Sequence, residues 1–186
     1  MRVIAGQFKG RQLKSVPGKA TRPTTDKIKE AVYQMIGPFF NGGYCLDLYA
    51  GSGALGIEAI SRGMNYAIFI DKQSNAIHTI QQNIEMFHIT DKTEVFRVDA
   101  FRAMKAVAKR GLKFKLILLD PPYQKIDYEK LLNKIVELDV LEQNGLIYCE
   151  YELNEKIPEH IEKLNLIKKE SYGKTTGISI YKKGEA

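Results

Sequence analysis

Apolar positions along the 186-residue chain recur with two periods, and the alternation between the two predicts the architecture. From Tyr44 onward, short apolar runs at 44–49, 66–70, 93–98, 115–119 and 145–150 read as strands. Stretches with helical spacing lie between them at about 53–62, 74–87, 100–110 and 128–138. In the second stretch, Ile77, Ile80, Ile84 and Phe87 form one apolar stripe, which reads as core. Strand and helix in alternation imply an α/β fold with a mostly parallel sheet and helices on both faces. A last helix is expected near 156–163. Segments 164–172 and 176–182 follow as an antiparallel pair joined through Gly173-Lys174-Thr175-Thr176-Gly177, which brings the sheet to seven strands. Upstream, Arg2–Ala5 and Gln12–Val16 look extended around a turn at Phe8-Lys9-Gly10, a small β-hairpin. Thr24, Thr25 and Asp26 offer N-caps to a helix carrying Ile28, Val32, Met35 and Ile36, and Gly37-Pro38 ends it. The expectation is a single domain, 1–186, with a hairpin-and-helix extension at 1–36 and a Rossmann-like core at 44–186.

Composition changes this picture little. An apolar share of 44% and a charged share of 27% are ordinary for a soluble protein. No apolar run approaches the ~20 residues that cross a bilayer. The first residues lack the apolar stretch of a signal peptide, so a cytoplasmic address is expected. Cys45 and Cys149 each sit inside an apolar strand run and read as buried free thiols; no Cys/His cluster suggests a metal.

Charge is more informative. The net charge is +6, and residues 1–30 hold eight basic residues against two acids, Asp26 and Glu30. The whole excess therefore lies in Arg2, Lys9, Arg11, Lys14, Lys19, Arg22, Lys27 and Lys29. A solvated basic face and contact with a phosphate backbone are both open on charge alone.

In a sheet of this kind, ligands bind beyond the carboxyl ends of the strands. The first strand runs into Asp47-Leu48-Tyr49-Ala50-Gly51-Ser52-Gly53-Ala54-Leu55-Gly56, a G-x-G-x-x-G turn whose glycines let backbone approach a ligand. Asp71, 20 residues after Gly51, ends the second strand where ribose hydroxyls would meet it. By itself the pattern fits a nicotinamide dinucleotide or S-adenosylmethionine. Asp47 favours the latter, since a carboxylate in an apolar strand needs partners and could accept loop N–H groups or meet a cationic amino acid. Val98-Asp99-Ala100 places an acceptor for an adenine amine, though Asp99 is equally a helix N-cap.

The fourth strand ends Leu118-Leu119-Asp120-Pro121-Pro122-Tyr123. Two prolines make a rigid, extended exit without backbone donors. Asp120 and nearby carbonyls can hold both hydrogens of an exocyclic amine, and Tyr123 offers a face for a planar base. A carboxylate there stabilises the positive charge that the nitrogen gains on attacking a sulfonium methyl. Neither a metal nor a covalent enzyme intermediate is needed.

The Asp-Pro-Pro-Tyr corner resembles that of methyltransferases acting on exocyclic amines. Together with Leu46–Gly56, Arg2-Val3-Ile4-Ala5-Gly6, Phe8-Lys9-Gly10-Arg11 and Arg22-Pro23-Thr24-Thr25-Asp26, it is similar to the RsmD-type enzymes, which methylate the N2 amine of a guanine in 16S ribosomal RNA. The resemblance covers nearly the whole chain. It implies a class I methyltransferase fold with S-adenosyl-L-methionine as donor and S-adenosyl-L-homocysteine as product. It implies that Asp47, Ala50, Gly51 and Gly53 surround the donor's amino acid part, that Asp71 binds its ribose, and that Asp99 with Ala100 meets its adenine. Asp120, Pro121 and Tyr123 would hold the base. Arg2, Lys9, Arg11 and Arg22 would meet RNA phosphates, in free RNA or an assembling small subunit. A monomer is the expected state.

Four rival functions fit parts of the pattern. An adenine-N6 DNA methyltransferase shares the corner but usually carries extra mass for sequence reading, and a protein glutamine methyltransferase fits the basic N-terminus poorly. An NAD oxidoreductase leaves Asp-Pro-Pro-Tyr unexplained. An inactive RNA-binding assembly factor leaves the intact acids and glycines unexplained. His78, His88 and His160 are scattered and read as surface residues, and Lys168-Lys169 and Lys182-Lys183 as solvated charge. Glu150 could shape a base pocket or form a structural ion pair.

Overall fold

The computed structural model describes residues 1–18, 26–122 and 126–184. Its elements are α1 (Asp26–Ile36), β1 (Tyr44–Asp47), α2 (Ala54–Ser61), β2 (Tyr66–Asp71), α3 (Ser74–Phe87), β3 (Thr93–Arg97), α4 (Ala100–Lys109), β4 (Phe114–Leu119), α5 (Tyr128–Glu137), β5 (Leu141–Glu152), β6 (His160–Ile161), β7 (Leu164–Tyr172) and β8 (Thr176–Lys183). They build one sheet ordered β3-β2-β1-β4-β5-β8-β7-β6. Strands β1 to β5 pair in parallel, and β8, β7 and β6 continue antiparallel.

Period-two burial explains the layering. Within β1, Cys45 and Asp47 face one side while Leu46 faces the other. Cys45, Phe69 and Leu118 pack with Val32 and Tyr33 of α1, Ile57 and Ile60 of α2, and Ile80 and Ile84 of α3. Leu46, Ile68 and Ile117 pack on the other face with Met104 and Val107 of α4 and Leu131 and Ile135 of α5. The chain runs outward from β1 through β2 to β3, then returns to lay β4 on the opposite side of β1. That reversal is the topological switch point, where a crevice opens between the β1 and β4 exits.

Two expectations need correction. No helix forms near 156–163; the chain there carries the short strand β6, which pairs with β7 and makes the sheet eight-stranded. Pro158 has no N–H for a helical hydrogen-bond ladder, and Ile161 of β6 instead pairs with Leu164 of β7, both buried in the core on the α4 and α5 face. The N-terminal hairpin is a single antiparallel bridge, Arg2 to Gln12, closed by Val3 N–H to Arg11 O at 3.0 Å and Leu13 N–H to Met1 O at 2.9 Å. Its Val3, Phe8 and Leu13 join the core beside α1 and α2. Both cysteines are buried and free, and the three histidines are exposed. Among the described residues, no helix is long and apolar enough to cross a membrane.

Candidate functional site

The glycine turn is held from two directions. Ala50 N–H bonds to Ile70 O at 3.0 Å and Gly53 N–H to Ala50 O at 2.7 Å, which curls the exit of β1 over the end of β2. Gly51 and Gly53 adopt φ of 57° and 80°, left-handed values that side chains disfavour. A Cβ at Gly51 would meet nothing within 4 Å, so backbone there faces open space. A Cβ at Gly56 would lie 2.4 Å from the Phe69 ring, so the third glycine lets α2 press against β2. The three glycines thus have three separate jobs: an open turn, a left-handed helix start and a close packing contact.

Three carboxylates stand at the exits of β1, β2 and β3, and two of them bond the glycine turn. Asp47 is buried, and its Oδ2 accepts from Gly56 N–H at 3.2 Å while Oδ1 has no partner. Burial raises its carboxyl to about 7, an effect that the Gly56 N–H offsets in part and the charge of Asp71 reinforces. An orphaned buried oxygen beside open glycine backbone fits a ligand that brings a cationic donor. Asp71 Oδ2 accepts from Gly51 N–H at 3.0 Å and Oδ1 from Gln73 N–H at 2.9 Å. It braces the turn, with a second lone pair on each oxygen for hydroxyls. Asp99 caps α4 through Arg102 N–H at 3.0 Å, the role open to it on sequence grounds, with Ala100 buried behind it. Tyr49, half-buried, lies near Asp99; burial first and that charge second push its hydroxyl up to about 12.

The Asp-Pro-Pro corner sits on the neighbouring strand. Asp47 is in register with Leu118 of β4, and Leu48 N–H bonds to Leu118 O at 3.1 Å. Asp120 therefore leaves the sheet two residues beyond the level of Asp47, on the adjacent strand and the same face by alternation. Pro121 is buried and Pro122 exposed. On β5, Tyr148 is in register with Leu118, so Glu150 stands beside Asp120 by the same count. Glu150 is 4% exposed and accepts from the Tyr148 hydroxyl at 2.6 Å, while its carbonyl accepts from Tyr128. A cleft of about 1050 Å³ opens on the α5 side, lined by Ile126, Tyr128, Tyr151, Leu153 and Lys169 among others. None of its lining residues belongs to the glycine turn.

Tyr123 and Arg22 lie outside the described residues. Of the other basic candidates, Lys9 is exposed and Arg2 bonds Asp26 at 2.8 Å. Arg11 stacks 4.3 Å above the Phe87 ring and donates to Met86 O at 2.5 Å, which ties the N-terminal segment to α3. Sequence reasoning passed over three residues that organise the site: Glu58, Ser61 and Asn83. Each is a polar residue on a buried helix face, and that mismatch was the available signal. Glu58, fully buried, accepts from Ile4 and Ala5 N–H at 2.9 and 3.0 Å and is paired with Lys29 and Arg62. Ser61 accepts from Phe8 N–H at 2.9 Å.

Comparisons with known proteins give the chain's family and fold relatives. The family model described as conserved hypothetical protein 95 matches residues 1–182. The chain is 49% identical over 98% of its length, and 99% of the other's, to a Bacillus subtilis protein named "putative rRNA methyltransferase YlbH". It is 32% identical to ribosomal RNA small subunit methyltransferase D of Escherichia coli, over 85% of this chain and 78% of that one. A solved structure titled "putative methyltransferase yhhF from Escherichia coli" superposes with a TM-score of 0.84 at 28% identity, covering 100% and 99% of the two chains. A likeness of fold alone, at 17% identity and a TM-score of 0.68 over 82% of this chain and 49% of the other, is to SMU.776, titled a "putative methyltransferase complexed with SAH".

Proposed function

The chain belongs to the conserved hypothetical protein 95, or RsmD, family of methyltransferases, and from that premise we propose that it methylates the exocyclic N2 amine of a guanine in 16S ribosomal RNA, with S-adenosylmethionine as donor. The observation that carries the reading is the adjacency of the β1 and β4 exits. It sets the Asp120 corner beside an open glycine turn whose buried Asp47 keeps one oxygen without a partner.

When bound, S-adenosylmethionine supplies an electrophilic methyl group on a positively charged sulfur. Asp47 Oδ1 would accept from its ammonium, the backbone at Gly51 and Gly53 would meet its amino acid part, and Asp71 and Asp99 would accept from the ribose and the adenine amine. Asp120 accepts one N–H of the target amine and fixes the nitrogen lone pair in line with the methyl carbon. Asp120 would stabilise the charge that collects on the nitrogen as the amine takes the methyl group, the methyl–sulfur bond breaking to leave S-adenosylhomocysteine and the extra proton leaving to solvent. Pro121 keeps the corner extended, and Tyr123 stacks on the base by the sequence argument alone. Glu150, beside Asp120, supports a pocket for a base edge rich in N–H donors, as guanine's is. Arg2, Lys9, Arg11 and Arg22 belong to the RNA-facing segment. A monomer acting in the cytoplasm on free or assembling small-subunit RNA completes the proposal.

Mass-spectrometric mapping of 16S RNA from cells with and without the gene tests it: one N2-methylguanine should disappear. Unchanged RNA with altered N6-methyladenine in DNA would favour the DNA rival. Asp120→Ala should lower transfer at least ~100-fold while leaving S-adenosylhomocysteine affinity within about threefold, judged against the usual cost of losing a charge-stabilising group. An equal loss of both would show that the division of roles is wrong.

A further inference from the structure

Asn83 lies on the buried face of α3, wholly excluded from solvent between Ile80 and Ile84. Its amide makes three hydrogen bonds that join two distant segments. Oδ1 accepts from Lys14 N–H at 2.9 Å, and Nδ2 donates to Lys14 O at 3.1 Å and to Ser52 O at 2.9 Å. Ser52 stands between Gly51 and Gly53 in the open turn. Lys14 follows Leu13, whose N–H closes the N-terminal bridge on Met1 O. Met1 itself reaches the same turn, its Sδ 4.0 Å from Ser52 Oγ.

We propose that Asn83 is a positioning residue that couples occupancy of the glycine turn to the basic N-terminal strand, so that donor loading orders the segment that meets RNA. The proposal rests on the reading of that turn as the donor site. The physical basis is the rigidity of the amide. Its oxygen and nitrogen are fixed in one plane, so Asn83 cannot follow Ser52 without shifting both bonds to Lys14. Asn83 itself is wholly buried, so a bond lost on its side leaves a polar group shut away from solvent. A ligand seated on Gly51 and Gly53 holds the Ser52 carbonyl in one place and removes the states in which the amide swings. The Lys14 peptide is then gripped at its N–H and its C=O together. Such coupling is reciprocal, so fixing the N-terminal strand against RNA tightens the donor turn by the same factor.

Amide hydrogen exchange on the full chain, with and without saturating S-adenosylhomocysteine, tests the inference. The Lys14 amide, which the ligand does not touch, should exchange about fivefold or more slowly in the complex, while Lys168 on β7 should not change. In Asn83→Ala the ligand should still bind, and the ligand-dependent slowing at Lys14 should vanish. Asn83→Asp, which keeps the acceptor and loses both donors, should behave alike and serves if the alanine variant does not fold. A mere brace would raise exchange at Lys14 equally in both states and leave the ligand-dependent step at full size; that result overturns the coupling. Ligand binding to the wild type with no slowing at Lys14 overturns it too. Failure of S-adenosylhomocysteine to bind the wild type would overturn the donor reading itself.

Discussion

Asp47 carries the most distinctive chemistry of any single residue here. Its carboxyl stands at about 7 because it is sealed from water, a cost that the backbone N–H groups of Gly56 and Tyr49 offset only in part and the charge of Asp71 adds to. The folded value lies above the ordinary 3.8, so protonation favours the folded state. That contribution is complete below about pH 4 and is lost as pH rises to about 7. Unfolding measured across this window should therefore show a decline that Asp47→Asn flattens. An ammonium seated against Oδ1 favours the carboxylate and lowers its pKa. Binding of S-adenosylhomocysteine should then release protons, and affinity should fall below pH 7 by up to about tenfold per unit. Calorimetry in two buffers of different ionisation enthalpy measures the release; a pH-independent affinity would remove Asp47 from the donor site. Sequence alone flagged Asp47 as an acid in an apolar strand. It could not say which oxygen Gly56 would satisfy, because that depends on where α2 lands.

At the scale of elements, α2 is the keystone between the glycine turn and the N-terminal segment. Its Glu58 binds two backbone N–H groups of that segment and two buried cations, Lys29 from α1 and Arg62 from the end of α2. Burial lowers the pKa of Lys29, and Glu58 partly restores it. Glu58→Ala would leave both cations buried without their anion, at a cost of about 3–5 kcal/mol. Thermal unfolding should drop by on the order of 10 °C for a chain of this size. Gly56→Ala should cost about 1–3 kcal/mol through its clash with Phe69. Strands and helices of the core were legible in the periodicity, with α3 recovered at Ser74–Phe87 and α5 to within a residue. Segment 156–163 was not, because pairing with β7 buries Ile161 beside Leu164, which outweighs weak local propensity, and Pro158 cannot donate to a helical ladder.

For the whole molecule, the described part of the basic N-terminal segment is folded against α2 and α3 beside the glycine turn. Lys9 is exposed in the turn of the N-terminal segment, whereas Arg11 is stacked on Phe87 and bonded to Met86 O. Lys9→Ala should reduce the salt dependence of RNA binding by ~0.7 to 0.9 in log–log slope, with Lys168→Ala as an unchanged control. Arg11→Ala should cost about 1 kcal/mol of stability in addition to any loss of affinity. An unaltered slope for Lys9→Ala would take that residue out of the RNA contact. The sequence by itself determined the α/β alternation, the glycine turn, the acids at the strand ends and the Asp-Pro-Pro corner, because each is written in local spacing and residue chemistry. Only the tertiary structure decided that β1 and β4 are neighbours, that Asp47 keeps an orphaned oxygen, and that Glu58 and Asn83 fasten the N-terminal segment to α2 and the glycine turn. Apart from the bond between Asp47 and Gly56, nine residues away, those facts depend on contacts between residues 31 to 71 apart, which no local pattern records.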